Sequence, residues 1–455
     1  MTDFSALRTH IAGPVFEPGD DGYSEELSGF NLAFTHQPEI VVGALDAADV
    51  VQAVRFAHDN ALPVRAFATG HGSHATISDG MVISTRRLDQ VLIDPEERIA
   101  TIAAGARWGQ VVAAAAEHSL APITGSSSNV GAIGYMLGGG LGPLARSHGF
   151  SSDYVRSFSV VTGTGDLIEA NELEYPDLYW ALRGGKGGLG IVTAVRVELV
   201  SLNELYGGNI LFGENEVEPV LRAWVDYTRD ADDLVTTSLA IMRFPPIEQV
   251  PELMRGKTML ALRFAYPGIA VDGERLVAPL RSAGPAVIDS VGELAPADIA
   301  TIHNDPTEPG KSWTTGGMLA AVDQDFATAL LDRVGAGAGK QVPLVGVELR
   351  HVGSATRREV DGGSAVGGRS SDYTFGIIGS LMQPEIEDAI VATATDLLQA
   401  LGPWISAETT INFAAKPDLP NYRKAWPAAT FERLASVRKQ VDPDGIFPYG
   451  AFTDS

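Results

Sequence analysis

Short apolar runs separated by polar turns fill the first 200 residues of the chain. An apolar run at 39–44 precedes a segment in which Val50, Val51, Val54 and Ala57 recur on one helical face, with Asp46 in the N-cap position. The remaining pattern predicts two hairpins at 91–102 and 157–170, two further helices at 107–119 and 176–185, and one long strand at 188–200. This half is therefore predicted to be an α+β domain.

The pattern changes near residue 205, where longer amphipathic helices begin to alternate with strands. The helices are predicted at 218–231, 323–337 and 384–401, and the strands at 258–266, 343–352 and 373–379. Such an alternation favours an antiparallel sheet backed by helices, in a domain of its own. The segment 361–372 is rich in Gly and Ser and is predicted to be a mobile loop between two strands. One more helix precedes a turn at 442–445.

Composition excludes several kinds of partner. The 57 acidic and 33 basic residues give a formal net charge of −24 over 455 residues, and such a surface repels nucleic acid and anionic membranes. No apolar run approaches the ~20 residues of a membrane span, and no signal peptide is visible, so we expect a cytoplasmic protein. The absence of cysteine excludes disulfides, thiolate metal sites and cysteine nucleophiles.

Two glycine-rich segments are the first candidates for chemistry. In the segment 65–75 small residues leave backbone N–H groups free to bind an anion, although this segment taken alone favours a tight turn with incidental histidines. Its two histidines, His71 and His74, lack further ligands nearby, so no metal site is predicted. The segment 125–143 does not have the spacing of a dinucleotide-binding Rossmann fingerprint.

Other common enzyme motifs are missing. A Gly-Lys pair occurs at 185–186, but Gly187 stands where a P-loop needs Ser or Thr. No G-x-S-x-G nucleophile elbow is present. These observations argue against a hydrolase, a kinase and a nicotinamide-dependent dehydrogenase.

Four motifs in order nevertheless form a recognisable set: GHGSHATISDG, SSNVGAIGYMLGGGLGPLARSHG, YWALRGGKGGLGIVT and FERLASVRKQVDPDGIF. With them the chain resembles the vanillyl-alcohol-oxidase/PCMH superfamily of flavoproteins, and within it the berberine-bridge-enzyme-like oxidases of the 6-hydroxy-D-nicotine oxidase type. The resemblance covers residues 35–200 and 410–450 strongly and the middle weakly. It implies a PCMH-type FAD-binding domain formed by 1–204, a substrate-binding domain at 205–409, and a C-terminal segment at 410–455 that returns to the FAD domain.

The resemblance also implies how the cofactor is held. A histidine that follows an Arg-Ser-Gly-Gly loop carries the 8α-methyl carbon of FAD in the family, and His71 stands at that position, with His74 as the alternative. Bicovalent members have a cysteine where this chain has Ser127, so a mono-covalent flavin is expected. The implied cofactor-binding residues are Arg65, Ala68, Thr69, Gly70, His71, Gly72, Ser73, His74, Ser127, Val130, Gly131, Gly134, Tyr135, Gly138, Gly140, Gly190, Ile191 and Val192.

Two of these positions, and one in the C-terminal motif, affect the expected chemistry. Valine at the position of Val130 leaves room for dioxygen beside the flavin in plant relatives, which favours an oxidase. Many relatives have His where Tyr135 stands and Asn where Thr430 stands. Both differences concern the tuning of the flavin.

The catalytic base of such oxidases projects from a central strand of the second domain, which corresponds here to 343–352. By alternation Glu348 and Arg350 share one face, and His351 lies on the other. A partly desolvated carboxylate or imidazole facing the flavin would be suited to act as a base, whereas a Glu348–Arg350 ion pair is the alternative. The resemblance adds Asn412 and Tyr422 from the C-terminal segment.

The expected activity is hydride transfer from a small organic substrate (an alcohol, sugar, amine or secondary metabolite) to FAD, followed by reoxidation with dioxygen to hydrogen peroxide. The alternatives are a dehydrogenase or oxidative cyclase that uses another acceptor, and a flavin-binding protein without catalysis. The predicted partners are the substrate and dioxygen. The oligomeric state is not predicted.

Overall fold

The segment with the clearest helical period forms a helix at Ala47–Asp59 in the computed structural model, which describes residues 2–338, 342–414 and 418–449. Asp46 caps this helix, because its side chain accepts a hydrogen bond of 2.9 Å from the backbone N–H of Asp49. Val50, Val54 and Ala57 are fully buried along the predicted face. The sequence prediction for this helix is confirmed.

Three layers of strands and helices make up the N-terminal half. A four-stranded sheet has the order β1-β2-β4-β3, a five-stranded antiparallel sheet has the order β5-β6-β10-β8-β9, and β7 pairs with β11. Both predicted hairpins are present in the second sheet. The strands are β1 Val15–Phe16, β2 Ile40–Gly43, β3 Val64–Phe67, β4 Met81–Ser84, β5 Val91–Asp94, β6 Ile99–Ala103, β7 Leu120–Ala121, β8 Val155–Val161, β9 Leu167–Asn171, β10 Ile191–Glu198 and β11 Val200–Ser201, and the helices are α1 Ser5–His10, α2 Tyr23–Glu26, α3 Ala47–Asp59, α4 Trp108–Ala116, α5 Ala132–Met136, α6 Ala145–His148 and α7 Pro176–Leu182.

A large antiparallel sheet forms the middle of the chain, in the order β15-β12-β14-β13-β18-β19-β17, with β16 also paired to β12. Helices cover one face, so the predicted helix-backed antiparallel sheet is confirmed. The sequence pattern missed the helix at Ala270–Arg281, which contains Gly273 and Pro279 and buries few apolar side chains. The elements are β12 Tyr206–Phe212, β13 Thr236–Arg243, β14 Thr258–Tyr266, β15 Ala286–Asp289, β16 Gly292–Glu293, β17 Ser312–Leu319, β18 Leu344–His351, β19 Tyr373–Ser380, α8 Val217–Tyr227, α9 Ala270–Arg281, α10 Gln324–Val334 and α11 Glu387–Leu401.

The C-terminal segment packs against the N-terminal core. It contains a short 3₁₀ turn at Ile411–Phe413 and the helices α12 Leu419–Ala425 and α13 Ala428–Val441. Buried side chains of this segment, among them Tyr422, Trp426 and Leu434, join the hydrophobic cluster of the first two sheets. The boundaries at 204 and 410 stay a prediction, and within the predicted domains residues 1, 339–341, 415–417 and 450–455 lie outside the described part.

The segment 361–372 is closely packed, whereas the sequence analysis predicts a mobile loop there. Arg369 is buried and donates to the Asp153 carboxylate at 2.5 Å and 3.2 Å. A Cβ added at Gly367 would lie 2.0 Å from the carbonyl oxygen of Ala425. The prediction was wrong because the glycines serve close packing between the two halves of the chain rather than freedom of the backbone.

Within the described ranges, no helix is both long and apolar enough to cross a membrane.

Candidate active site

The first glycine-rich loop follows β3 and is held by close backbone packing. Gly70 has φ +69°, and a Cβ there would lie 2.6 Å from the Cα of Gly29. The backbone N–H of Phe30 donates to the carbonyl oxygen of Thr69 at 2.8 Å. Only glycine fits this left-handed position without strain, so the loop conformation follows from the sequence.

His71 lies in this loop with one nitrogen unpaired. Its ring stacks on Phe30, with 3.9 Å between the centroids, and its Nδ1 is 2.9 Å from the Thr69 hydroxyl. Nε2 is buried and has no hydrogen-bond partner among the described residues. Burial, with a smaller contribution from the positive charge of Arg107, lowers the pKa of His71 to about 4. The imidazole is therefore neutral near pH 7.

The second glycine-rich loop lies against the first. A Cβ at Gly131 would be 3.4 Å from the Cγ2 of Thr69, and Gly131 begins helix α5. The backbone N–H groups of 70–72 in the first loop and of 127–129 in the second donate to no acceptor within the described residues. Two adjacent sets of free N–H groups can bind an anion such as a phosphate.

Residues of the C-terminal segment and of α5 meet beside these loops. The Asn412 side chain donates to the carbonyl oxygen of Tyr135 at 2.9 Å, and a Cβ at Gly138 would lie 2.1 Å from its Oδ1. The Tyr135 ring packs against the backbone of Gly125 and Gly140, and its burial raises the pKa of the hydroxyl. At Gly134, by contrast, a Cβ would meet only open space.

Lys186 occupies the same junction, although the sequence analysis assigned it no role. Its Nζ donates to the carbonyl oxygen of Gly134 at 2.8 Å and to Asn412 Oδ1 at 2.7 Å. Among the described residues this ammonium group forms no ion pair with a carboxylate, and burial lowers its pKa to about 8. Burial is the larger cause of the lowered pKa of His74, and the positive charge of Lys186 lowers it further. The only sequence signal was the Gly-Lys pair set aside as an incomplete P-loop.

On the opposite side, β18 carries a buried charge network. Arg350 donates to Glu348 Oε2 through Nε at 2.9 Å and Nη2 at 2.8 Å, and Nη1 of Arg263 lies 3.3 Å from Glu348 Oε1. The side chains of Glu348 and Arg263 are 15% and 8% exposed. Of the two alternatives from the sequence, the structure thus shows the Glu348–Arg350 ion pair, and it adds Arg263 from β14.

Further polar residues that the sequence analysis missed surround this network. The Ser126 hydroxyl donates to Asp305 at 2.7 Å, and Arg350 reaches Ser126 Oγ at 3.4 Å. His303 Nε2 is 3.2 Å from the Ser238 hydroxyl and 3.9 Å from Glu348. Burial, and then the charges of Arg350 and Arg263, lower the pKa of His303 far below its ordinary value. Nothing in the local sequence around His303 or Asp305 signals this role.

Not all predicted catalytic residues meet here. Arg350 lies 5.7 Å from the ring centroid of Phe413, which follows Asn412, so Glu348, Arg350 and Asn412 border one region. His351 projects from the other face of β18, stacks on Tyr373, and is hydrogen-bonded to Arg146, and its pKa falls to about 2 mainly through burial.

Tyr422, the other residue from the C-terminal segment, is 1% exposed and stacks on Trp426 in the core, where burial raises its pKa to about 12. The catalytic roles of all five residues stay predictions.

The remaining predicted cofactor residues are placed as follows. Arg65 forms an ion pair of 3.0 Å with Asp79, away from the loop tip. Ser127 and Val130 are half-buried in the second loop. Gly190 has φ +106°, and the two residues after it, Ile191 and Val192, are buried at the start of β10 and pair with β8. The part of the chain that the structure describes contains no group of three metal-ligating side chains.

The arrangement fits FAD. The diphosphate of a dinucleotide needs several N–H donors, and the two loops provide them. The unpaired Nε2 of His71 lies next to Gly72, where an added Cβ would meet no atom within 4 Å. The ammonium group of Lys186, which contacts carbonyl and amide oxygens and forms no ion pair among the described residues, adds positive charge to this junction.

Comparison with known proteins leads to the same cofactor. A sequence family described as an FAD binding domain matches residues 38–171. The (R)-6-hydroxynicotine oxidase of Paenarthrobacter nicotinovorans is 27% identical over 462 residues, which cover 98% of both chains.

Solved structures share the whole fold. The 6-hydroxy-D-nicotine oxidase of Arthrobacter nicotinovorans has a TM-score of 0.81 at 24% identity, over 98% of each chain. Berberine bridge enzyme from Eschscholzia californica has a TM-score of 0.83 at 16% identity, over 98% of this chain and 97% of that chain. The predicted fold class is confirmed. The chain is an FAD-linked oxidoreductase with an FAD binding domain, and its similarity to 6-hydroxynicotine oxidase and, in fold, to berberine bridge enzyme agrees with the resemblance carried by its sequence motifs.

Proposed function

We propose that this enzyme is an oxidase whose FAD is bonded to His71 alone. The observation that carries the proposal is the neutral His71 imidazole, with one nitrogen unpaired, at the contact between the two glycine-rich loops. A neutral imidazole is a nucleophile, whereas an imidazolium is not. Ser127 stands where bicovalent relatives carry cysteine, and the chain has no cysteine at all, so no second bond of that kind is available.

The residues around His71 would divide the work of holding the cofactor. The free N–H groups of 70–72 and 127–129 would bind the diphosphate, and Lys186 would supply a positive charge beside them. Asn412 links Lys186 to the carbonyl oxygen of Tyr135 and so fixes the position of the ammonium group. FAD, when bound, accepts a hydride from the substrate and passes two electrons to dioxygen, which becomes hydrogen peroxide.

On the substrate side, Glu348 is the proposed proton acceptor for the hydroxyl or amine of the substrate, and its ion pairs with Arg350 and Arg263 would orient the carboxylate for this role rather than replace it. Arg350 and Arg263 each bind a different oxygen of its carboxylate, so the side chain is held in one orientation. A fixed acceptor beside the reacting carbon lowers the entropic cost of reaching the transition state. Glu348 and Arg350 are the members of the predicted catalytic set that the sheet brings to this face, and Asn412 borders it.

An anaerobic reduction screen tests this function. The purified enzyme is mixed with sugars, amines, alcohols and phenols without oxygen. A substrate is identified by loss of the absorption band of oxidised flavin at about 450 nm. Admission of air should restore the colour and give one hydrogen peroxide per flavin reduced. Slow reoxidation in air with fast reoxidation by an artificial acceptor would show a dehydrogenase or an oxidative cyclase with another acceptor. No bleaching with any compound would favour a flavin-binding protein without catalysis.

The lowered pKa of His71 predicts how attachment depends on pH. With a pKa of about 4, the imidazole is neutral from pH 5.5 to pH 8, so the attachment rate should change little over this range. An ordinary histidine with a pKa of ~6.5 would be only about one-tenth neutral at pH 5.5. The measurement is acid-precipitable flavin against time after FAD is added to flavin-free protein at both pH values. A tenfold slower attachment at pH 5.5, with an unchanged circular dichroism spectrum, would contradict the assignment.

A further inference from the structure

An aromatic ring lies flat against the His71 imidazole. The ring centroids of Phe30 and His71 are 3.9 Å apart, and the two ring planes differ by only 11°. Both side chains are half-buried, and none of the hydrophobic clusters in the described ranges includes Phe30. The Phe30 ring therefore contacts the imidazole without being part of the core, and the sequence analysis assigned it no role.

The stacked ring and one hydrogen bond together fix the orientation of the imidazole. His71 lies in a turn between Gly70 and Gly72, which have no side chains that could restrict it. The Thr69 hydroxyl, 2.9 Å from Nδ1, fixes the direction of one ring edge, and Phe30 fixes the ring plane. An imidazole nitrogen forms its bonds in the plane of the ring, whereas stacking covers a face. The edge that reacts is therefore left free while its plane is held.

Phe30 is itself held between the first glycine-rich loop and the large sheet. Its backbone N–H donates to the carbonyl oxygen of Thr69 at 2.8 Å. On the other side, its carbonyl oxygen accepts from the N–H of Gly310 at 3.0 Å, and the N–H of Leu32 donates to the Gly310 carbonyl oxygen at 3.0 Å. Gly310 lies two residues before β17, the strand at one end of the large sheet.

A buried asparagine completes this clamp between residues 30–32 and 310–312. The Asn31 side chain donates through Nδ2 to the carbonyl oxygen of Ser312 at 3.1 Å, and its Oδ1 accepts from the N–H of Ser312 at 3.2 Å. Asn31 is 8% exposed, so both hydrogen bonds form away from bulk water. The position of the Phe30 ring thus depends on the large sheet as well as on the first loop.

We propose that Phe30 is a positioning residue for flavin attachment, because its ring, held in place by the large sheet, orients the His71 imidazole for bond formation. This assignment rests on the proposed function, which makes His71 the attachment site. Overall, an imidazole N–H and a methyl C–H of FAD are replaced by one N–C bond, and dioxygen takes up the two protons and two electrons as hydrogen peroxide.

The geometry explains why a held imidazole reacts faster. An imidazole whose plane and edge are already fixed loses little further entropy when it reaches the reacting carbon, and this raises the rate of attachment. Because β17 helps to hold the ring that fixes the plane, attachment becomes efficient once the large sheet has docked against the first loop.

The rate of attachment tests this role. Flavin-free, full-length protein is mixed with FAD at several concentrations, and acid-precipitable flavin is followed with time. Phe30→Leu keeps an apolar side chain but removes the flat ring, and it should lower the limiting rate about fivefold or more. The FAD concentration that gives half of this rate should not change, because reversible binding does not use the ring. Phe30→Tyr keeps the ring and should react at the rate of the unmodified chain.

The pH profile separates orientation from shielding. Burial, and then the positive charge of Arg107 at the start of α4, keep the His71 imidazole neutral. An apolar leucine still shields the imidazole, so Phe30→Leu should slow attachment by the same factor at pH 5.5 and at pH 8. A loss confined to pH 5.5, where an ordinary imidazole with a pKa of ~6.5 is mostly protonated, would show that Phe30 acts as a shield only and would overturn the positioning role.

Two further variants serve as control and as a test of the clamp. Phe34→Leu makes the same change at another half-buried phenylalanine four residues further along, whose ring is stacked on no histidine of the described residues, and should leave the limiting rate unchanged. Asn31→Ala weakens the clamp and should slow attachment in the unmodified chain. It should cause no further loss in Phe30→Leu, since it acts through the ring.

An unaltered limiting rate in Phe30→Leu, an equal loss in Phe34→Leu, or additive losses for Asn31→Ala and Phe30→Leu would each overturn the positioning role. In all three cases the unmodified chain still bonds flavin to His71, so the proposed function stands. Absence of acid-stable flavin from the unmodified chain would instead overturn the proposed attachment, and this inference with it.

Discussion

His71→Ala should yield a protein from which acid releases all the flavin, whereas the unmodified chain should keep its yellow colour in the acid precipitate. The substitution removes the imidazole that we propose carries the flavin, and the loop itself is held by the backbone of Gly29, Phe30 and Thr69. The variant should therefore fold and still bind FAD reversibly through the free N–H groups.

Turnover of the His71→Ala variant should fall by about tenfold or more, equivalent to about 1.4 kcal/mol or more on the barrier. A histidyl substituent withdraws electrons from the flavin, and its loss makes the flavin a weaker oxidant. The measurements are the flavin content of the precipitate, the mass of the tryptic peptide that contains His71, and the midpoint potential of both proteins.

His74→Ala is the matched control, since it removes a second half-buried histidine three residues away in the same loop. It should keep the flavin bonded and leave the His71 peptide modified. Loss of the bonded flavin in His74→Ala, but not in His71→Ala, would move the attachment to His74. Complete release of flavin by acid from the unmodified chain would show that neither histidine forms a bond.

Glu348→Ala should destabilise the protein by about 3–5 kcal/mol, because it leaves the guanidinium groups of Arg263 and Arg350 buried without the carboxylate that binds both of them. Most of this loss of stability comes from leaving charged guanidinium groups buried without their partner. Removing one of these charges with Arg263→Met, in combination with Glu348→Ala, should therefore recover part of the lost stability. The measurement is the urea midpoint of unfolding for each variant in its flavin-containing form.

Glu218→Ala provides the comparison on the surface. It breaks another Glu–Arg pair, with Arg222, in which the side chains are 61% and 33% exposed, and it should change stability by no more than about 0.5 kcal/mol. A Glu348→Ala variant no less stable than Glu218→Ala would show that water reaches the network and that its charges are not confined. That result would also remove the basis for a fixed proton acceptor at Glu348.

Local sequence patterns predict the parts of the site that are formed by residues close together in the sequence. The loop around His71 follows from Gly70, whose left-handed backbone only glycine adopts without strain, and the helix α3 follows from its capped apolar stripe. The sequence failed where partners are far apart along the chain. Arg263 and His303 lie 85 and 45 residues before Glu348, and only the register of β14, β13 and β18 brings Arg263 to it.

Glycine was the least informative residue type for prediction, because it has two opposite uses. In the segment 361–372 its abundance predicts a loose loop, yet Gly367 is required by the close approach of Ala425. At Gly376 the same residue leaves space open. Sequence composition does not distinguish a glycine that is packed from one that borders a cavity, and the arrangement of neighbouring strands does.

The contacts of the C-terminal segment also join residues that the ribosome adds at widely separated times. Trp426 donates to the carbonyl oxygen of Gly184, Arg438 donates to those of Gly185 and Gly187, and Asn412 holds Lys186 from the other side. None of these contacts exists until residues 412–438 have been made. A nascent chain that has finished only its first 200 residues therefore carries both glycine-rich loops without the contacts that hold the junction around Lys186.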